Sequence, residues 1–449
     1  MTINIADQFV EDLYALSHED LPDSAVQQAK KCLLDYLGAA FAGSRMLHEK
    51  GEKLLSCFGS GQDAAVIGFN RKAGIEASAL VNGVSAHVAE LDDGVRYGMI
   101  HPGAPVFSAL LPLAEKEKVN GADFLKGVII GYEAEVRLAC AMQPSHYVRG
   151  FHPTSTCGTI GAAMGAAAML GFSKIEMKDT LSAAAVSAAG MLKVIEDGSE
   201  IKPLNVGRAA VNALIAAFVA KAGFKGLEDV FSGELGFFAM MADAYDESKL
   251  HKIGGEPFAI EKGYVKPYAA CRHVHPAIEA ALKIKAERDV EVHLIREIRV
   301  ITYCGVLGKH DHTFIRGAAS AKMSIPYGLA VALITGKAGI DQFDDNHANN
   351  TEVLTLTKKV VVSADDEISA RVPHQRAAIV EVQMSDGACY SERVDYPKGE
   401  PENPLSDDEL RDKFTLLAKF SHKSAEDIQK IIHVVERTEE KMPDLFCLL

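Results

Sequence analysis

No GxGxxG follows a strand-like run, no GxxxxGK[ST] occurs and no HExxH is present, so the usual signs of dinucleotide, nucleoside-triphosphate and zinc-peptidase chemistry are missing. The eight cysteines, at 32, 57, 140, 157, 271, 304, 389 and 447, form no CxxC pair, and Met1-Thr2-Ile3-Asn4 does not open a secretory leader. Reduced thiols in a cytoplasmic protein are expected. The chain also lacks a Lys/Arg cluster and carries a formal net charge of -14. Nucleic acid and anionic membrane surfaces are therefore not expected as partners, whereas a small anionic substrate needs only local positive charge. The apolar segments are broken by charged or polar residues before they reach about 20 residues, and no transmembrane helix is expected. Internal repeats and low-complexity tracts are absent as well.

What is present is length and helical periodicity. A chain of 449 residues with 48% hydrophobic content is soluble, globular and too long for one ordinary core. The run from Asp23 to Gly43 has apolar residues at helical spacing and a terminal glycine. Further helices are predicted at about 74–90, 104–117, 122–142, 158–171, 176–193 and 205–222. Within the fourth of these, Gly158, Gly161 and Gly165 place small residues three to four apart, which lets helix backbones approach closely. After Lys262 the pattern changes. Strands are predicted at 297–303 and 359–365, and 377–394 reads as a hairpin turning at Asp386-Gly387. A helical stretch broken near Pro326 lies between them, and helices resume at 406–420 and 424–437. The fold class is mainly α with a second α+β domain: an all-helical domain over 1–262, an α+β domain over 263–398, and C-terminal helices over 399–449 that rejoin the first.

Chemistry concentrates in His87 to Pro112, HVAELDDGVRYGMIHPGAPVFSALLP, which holds acids, a tyrosine and two histidines between two apolar runs. His101-Pro102, His152-Pro153 and His275-Pro276 each precede a helix. An imidazole at a helix N-terminus meets the positive dipole end and is expected to stay neutral near pH 7. Three polar clusters could converge: Glu90, Asp92, Asp93, Tyr97 and His101; His152, Thr154 and Ser155; and Lys266, Cys271, Arg272, His273 and His275. Lys202, next to Pro203, is a fourth candidate. Bases, hydroxyls and several cations together suit removal of a proton beside a carboxylate. Each also has a plainer role, as helix end, solvated lysine or packing residue, and Cys157 and Cys271 read more readily as buried thiols than as nucleophiles. His273-Val-His275 and His310-Asp-His312 offer alternate-residue metal ligands, so a metal-dependent hydrolase is the competing enzyme class. A non-catalytic binding protein is the third reading.

On these residues the sequence resembles the MmgE/PrpD family. The likeness runs through ELDDG…HPG, RGFHPTSTCGTIGAA, KPLNVGRAA, VKPYAACRHVHPAIEAA and SIPYGLAVAL. It implies a helical domain, a smaller α+β lid, an active site between them, a homodimer, and chemistry without metal or organic cofactor. Carried over, the family's acid-and-histidine region falls on Asp92, Asp93 and His101, its second histidine on His152 and its two lysines on Lys202 and Lys266; Asp92, Asp93, His101, His152 and Lys266 are expected to be catalytic and Lys202 to bind substrate. Tyr97, Arg272, His273 and His275 are expected to join Lys202 in binding substrate. Glu90, Cys271 and the loop between Asp93 and His101 depart from the decarboxylase branch. The expected activity is a dehydratase-type lyase or an isomerase acting on a small di- or tricarboxylate. Epimerisation of an iminodisuccinate-like substrate and cis-aconitate-type decarboxylation are the alternatives.

Overall fold

Glycines set the spacing of the first core. In the computed structural model, which describes residues 4–195, 199–251, 253–255, 257–288 and 290–449, the helix Pro153–Met169 is buried along its whole length. A Cβ on Gly161 would lie 2.7 Å from the Gly131 carbonyl oxygen, and one on Gly165 would lie 2.5 Å from that of Gly127. Only glycine lets this helix and Gly121–Met142 approach so closely. The small-residue spacing in the sequence therefore does mean tight helix packing. The helix Leu204–Lys221 packs on Pro153–Met169 and on Ile75–Val88. Its 18 residues are apolar and long enough to cross a membrane, yet Val206, Ala209, Ala213, Leu214 and Ala217 are buried in the protein core.

The other predicted helices of this part appear as Asp23–Met46, Ile75–Val88, Gly103–Glu117 and Lys174–Ser187. The last is shorter than predicted. It ends at Ser187, and the following segment runs extended to a bridge between Phe151 and Met191. There the Gly190 carbonyl accepts from the His152 backbone N–H at 3.0 Å, so the lost helical turns form one edge of the site.

The second core is built on a four-stranded sheet in the order Val360–Ala364, Ile295–Thr302, Ala378–Met384, Cys389–Val394. The first pair is parallel and the other two are antiparallel. Ala378, Val380, Val382 and Met384 alternate inward, against the helices His275–Glu287 and Ile325–Thr335. Pro326 sits in the first turn of the latter, where its missing N–H costs nothing. The C-terminal helices Asp407–Phe420 and Ala425–Glu436 return to the first core through Leu410, Phe414, Ile428 and Ile431. A last helix, Thr438–Phe446, was hidden in the sequence by its internal Pro443. Ala39, Ala42, Ala89, Leu91 and Leu417 belong to the second core although they come from the helical body. The acid-rich turn after Ala89 therefore lies at the seam.

Candidate active site

The helix Ile75–Val88 ends two residues before Glu90, whose backbone is left-handed at φ 56°. A non-glycine residue there is strained by about 1–2 kcal/mol. What holds it is charge: Glu90 takes an ion pair from Lys202 and another from Lys266, the latter at 3.4 Å. Lys266 also reaches Asp92 at 3.3 Å, and Asp92 accepts from His87 Nδ1 at 2.6 Å. Burial would raise both acids, but Lys202 and Lys266 hold Glu90 below its usual range, and His87 with Lys266 holds Asp92 below its own. For Lys266 burial works the other way, and the two carboxylates outweigh it to keep the ammonium charged.

Asp93 behaves differently. Its carboxylate accepts from the Gly103 N–H at 2.9 Å and the Tyr132 hydroxyl at 2.7 Å, and burial pushes it up to about 7. These bonds turn it into the start of the helix Gly103–Glu117. Asp93, like Asp92 and Lys266, lines neither of the two cavities at the histidines.

The two histidines are fixed in opposite tautomers. His101 Nδ1 lies 2.6 Å from the Asp93 carbonyl oxygen; a carbonyl only accepts, so Nδ1 carries the proton and Nε2 presents a lone pair. At His152 the assignment reverses. The Asn205 side-chain amide nitrogen donates to the Met191 carbonyl and lies 3.3 Å from His152 Nδ1. Nδ1 is therefore the acceptor and Nε2 bears the proton. Burial, then the Lys266 charge, lowers His101 to about 3. Burial, then His87 and Lys202, also keeps His152 neutral. The helix-start position of both rings was legible in the sequence, but burial and the lysines dominate their neutrality.

Both rings line an inner cavity of about 80 Å³ with Lys202, Tyr264, Cys271 and Arg376. It meets an outer cleft of about 1030 Å³ at Met99, Tyr147, His273 and Arg376, which line both. Behind Lys202 a chamber of about 240 Å³ is bordered by His87, Glu90 and Lys322. Burial lowers Lys322 to about 8.

Other expected site residues are redistributed. Lys266 is fully buried behind Glu90 and Asp92 and does not line the inner cavity. Tyr97 faces the outer cleft, its hydroxyl accepting from Arg96. Arg272 borders the inner cavity, but its guanidinium is spent on Glu400 at 2.9 Å, on the carbonyls of Pro397 and Lys398, and on His275. His275 is held by that contact and by the Ala270 carbonyl at 3.0 Å, so both ring nitrogens are occupied and it is a framework residue. The two His-x-His pairs therefore do not converge as pairs. Instead, ligand atoms of Cys271, His273 and His310 lie within 4.8 Å of one another. His273 Nδ1 is tied to the Tyr303 hydroxyl and His310 Nδ1 to the Met323 carbonyl. This trio could hold a soft divalent ion, against the opposing charges of Arg376 and Lys309, which act on His273. His87, read as packing, proves to be the partner of Asp92, and its buried Nε2 has no partner among the described residues.

The fold and site define an enzyme with a histidine-lined pocket between a helical body and a smaller α+β unit. The chain belongs to the MmgE/PrpD family: the model of the MmgE/PrpD N-terminal domain matches residues 7–249 and that of the C-terminal domain matches 268–437. It is 28% identical to human cis-aconitate decarboxylase over 98% of this chain and 93% of that protein. It is 27% identical to the cis-aconitate decarboxylase-like protein oryM of Aspergillus oryzae, over 92% of this chain and 90% of that one. A cis-aconitate decarboxylase of Aspergillus terreus is 26% identical over 90% of this chain and 87% of its own length.

Proposed function

We propose that this chain is a lyase of dehydratase type, removing a proton α to a carboxylate of a small di- or tricarboxylate and expelling a β-hydroxyl. The observation that carries this reading is the pair of neutral histidines in opposite tautomers on one cavity. His101 Nε2 takes the α-proton, the electron pair forms the double bond, and His152 Nε2–H protonates the departing hydroxyl as water. Lys202, paired with Glu90, stands on the wall as a hydrogen-bond donor to the substrate. Lys266 positions Asp92 and Glu90, and Asp92 steadies His87 and lies 3.9 Å from His101 Nδ1. Decarboxylation of a cis-aconitate-like acid is the second reading, favoured by the relatives. It needs the same cavity, with His152 delivering a proton to carbon. A homodimer in the cytoplasm is part of the proposal. Val186, Leu227, Leu235 and Met240, all exposed around one shallow apolar pocket, support the assembly.

Chelator-treated protein in D₂O, followed by proton NMR with 2-methylcitrate, citrate, cis-aconitate and iminodisuccinate, is expected to introduce solvent deuterium at an α-carbon of at least one acid. The product formed separates elimination from decarboxylation and epimerisation. Activity that appears only after a divalent metal is restored would sink the reading.

The pH dependence follows from His101. Its conjugate acid forms only as pH falls to about 3, so the base is fully available from pH 5 to 8. The profile of kcat/KM, which reports the free enzyme, is expected to show no histidine limb across that interval. A limb centred near 6.5 would contradict the assignment. In the complex, substrate carboxylates offset the lysine charges and raise the base toward a useful strength.

A further inference from the structure

The cations around the inner cavity are neutralised with one exception. Arg96 donates to Glu400 and Glu402, Lys202 pairs with Glu90, and Arg272 pairs with Glu400. Arg376 has no acidic partner among the described residues, although it is only 6% exposed. Among the described residues its single hydrogen bond runs from Nη2 to the Arg96 carbonyl at 3.2 Å, and its buried Nε has no partner. Withdrawing a guanidinium from water without a counter-charge is among the costliest arrangements a fold can hold. Where such a group lines a cavity, an anion that binds there removes the cost.

Its position says which part of a ligand it meets. Arg376 comes from the second core, immediately before the strand Ala378–Met384, and reaches across the seam to the Arg96 backbone of the helical body. It stands at the neck where the inner cavity joins the outer cleft. The inner cavity, at about 80 Å³, has room for only a few heavy atoms beside the histidines. A di- or tricarboxylate with its reacting carbon at His101 must therefore run back through the neck. Tyr147 and His273 border the same neck and can share the anion's remaining lone pairs.

We infer that Arg376 is the anchor of a carboxylate-binding site at this neck, taking a carboxylate of the substrate remote from the reacting carbon. The inference rests on the acid–base reading above for the identity of the ligand, and on the unpaired guanidinium for the site itself. It makes the second core a direct contributor to substrate selection, through Arg376 and not through Arg272, which Glu400 already engages.

The test uses the full chain with tricarballylate, an unreactive tricarboxylate, in thermal-shift titrations, beside steady-state kinetics on whichever acid is turned over. Tricarballylate is expected to raise the melting temperature of the wild type. In R376Q its apparent Kd should rise about 10- to 100-fold, the loss expected of a charge-assisted hydrogen-bonded pair. KM should rise in parallel with a smaller change in kcat, and R376K should recover part of the loss, since it keeps the charge without the fork. Unliganded R376Q should melt no lower than the wild type. Equal tricarballylate affinity in R376Q overturns the inference, as does an unliganded R376Q that melts several degrees lower, which would make Arg376 structural. Tricarballylate protection that disappears in R376Q, from a protein that turns over none of the acids, would keep this site and defeat the catalytic reading. Turnover with protection unaltered in R376Q would do the reverse.

Discussion

Lys266→Met is expected to destabilise the protein by about 3–5 kcal/mol at neutral pH, the usual result of removing one partner from a buried ion pair. Methionine fills much of the volume, so the effect is one of charge. It leaves Glu90 and Asp92 facing each other with only Lys202 and His87 to compensate, and both acids are buried. The pH dependence distinguishes this from a packing defect. In the wild type both acids titrate below their ordinary values, so the stability they contribute is present above pH 4–5 and is lost as pH falls through their native values. In the variant Lys266 no longer opposes the effect of burial, so both acids titrate higher and relieve their repulsion by taking up protons at a pH where the wild-type pair is still ionised. The deficit should therefore be widest near pH 7.5 and shrink toward pH 4.5. Denaturant unfolding at the two pH values reads it, and a deficit of equal size at both would show that the pair matters only as filler. A second readout concerns catalysis. Lys266 is the leading charge that depresses His101 after burial itself, so the His101 ring should titrate higher in the variant, visible by NMR. Turnover should then acquire an acid limb that the wild type lacks.

The helical body was legible because its signals are local. Ser406 with Glu409 and Ser173 with Glu176 form capping boxes, His101-Pro102 and His152-Pro153 do stand at helix starts, and Gly158, Gly161 and Gly165 do mark a close approach. Partners fixed by the fold were not legible. Arg272 sits among histidines and looked like a ligand-binding cation, but Glu400 reaches it from a loop 128 residues away. Asp92 and Asp93 are neighbours in sequence with opposite environments: one faces Lys266 and His87, the other a tyrosine hydroxyl and a helix N–H. Nothing in the DD pair separates them, because the difference arises from which face of the turn each occupies. Arg376 lies in an unremarkable run, VPHQRAA, and the role proposed for it rests on its having no acidic partner among the described residues, which no sequence motif encodes. His87 could have been suspected only from an acid five residues on, across a helix end where periodicity no longer predicts contact.

The tautomers make the histidines separable by experiment, which residue identity alone does not. His101→Asn and His152→Gln are each expected to lower kcat/KM for the overall reaction by about 10²–10⁴-fold, the range for loss of a positioned general acid or base. Their effects on isotope exchange should diverge. His101 presents the lone pair, so its removal abolishes both product formation and washout of the α-proton into D₂O. His152 presents a proton, so its removal blocks departure of the hydroxyl while the α-proton can still be taken and returned. Substrate recovered from His152→Gln should therefore carry deuterium while little product accumulates. Asn205 provides an internal control on the assignment. Its amide holds His152 Nδ1 as acceptor, and Asn205→Asp replaces a donor by an acceptor. That change drives the proton to Nδ1 and strips it from Nε2. Asn205→Asp should then reproduce the exchange-without-elimination behaviour with both histidines intact. Loss of exchange in His152→Gln to the same degree as in His101→Asn would mean that proton removal and hydroxyl departure are concerted or that the roles are reversed. Exchange lost only in His152→Gln would establish the reversal.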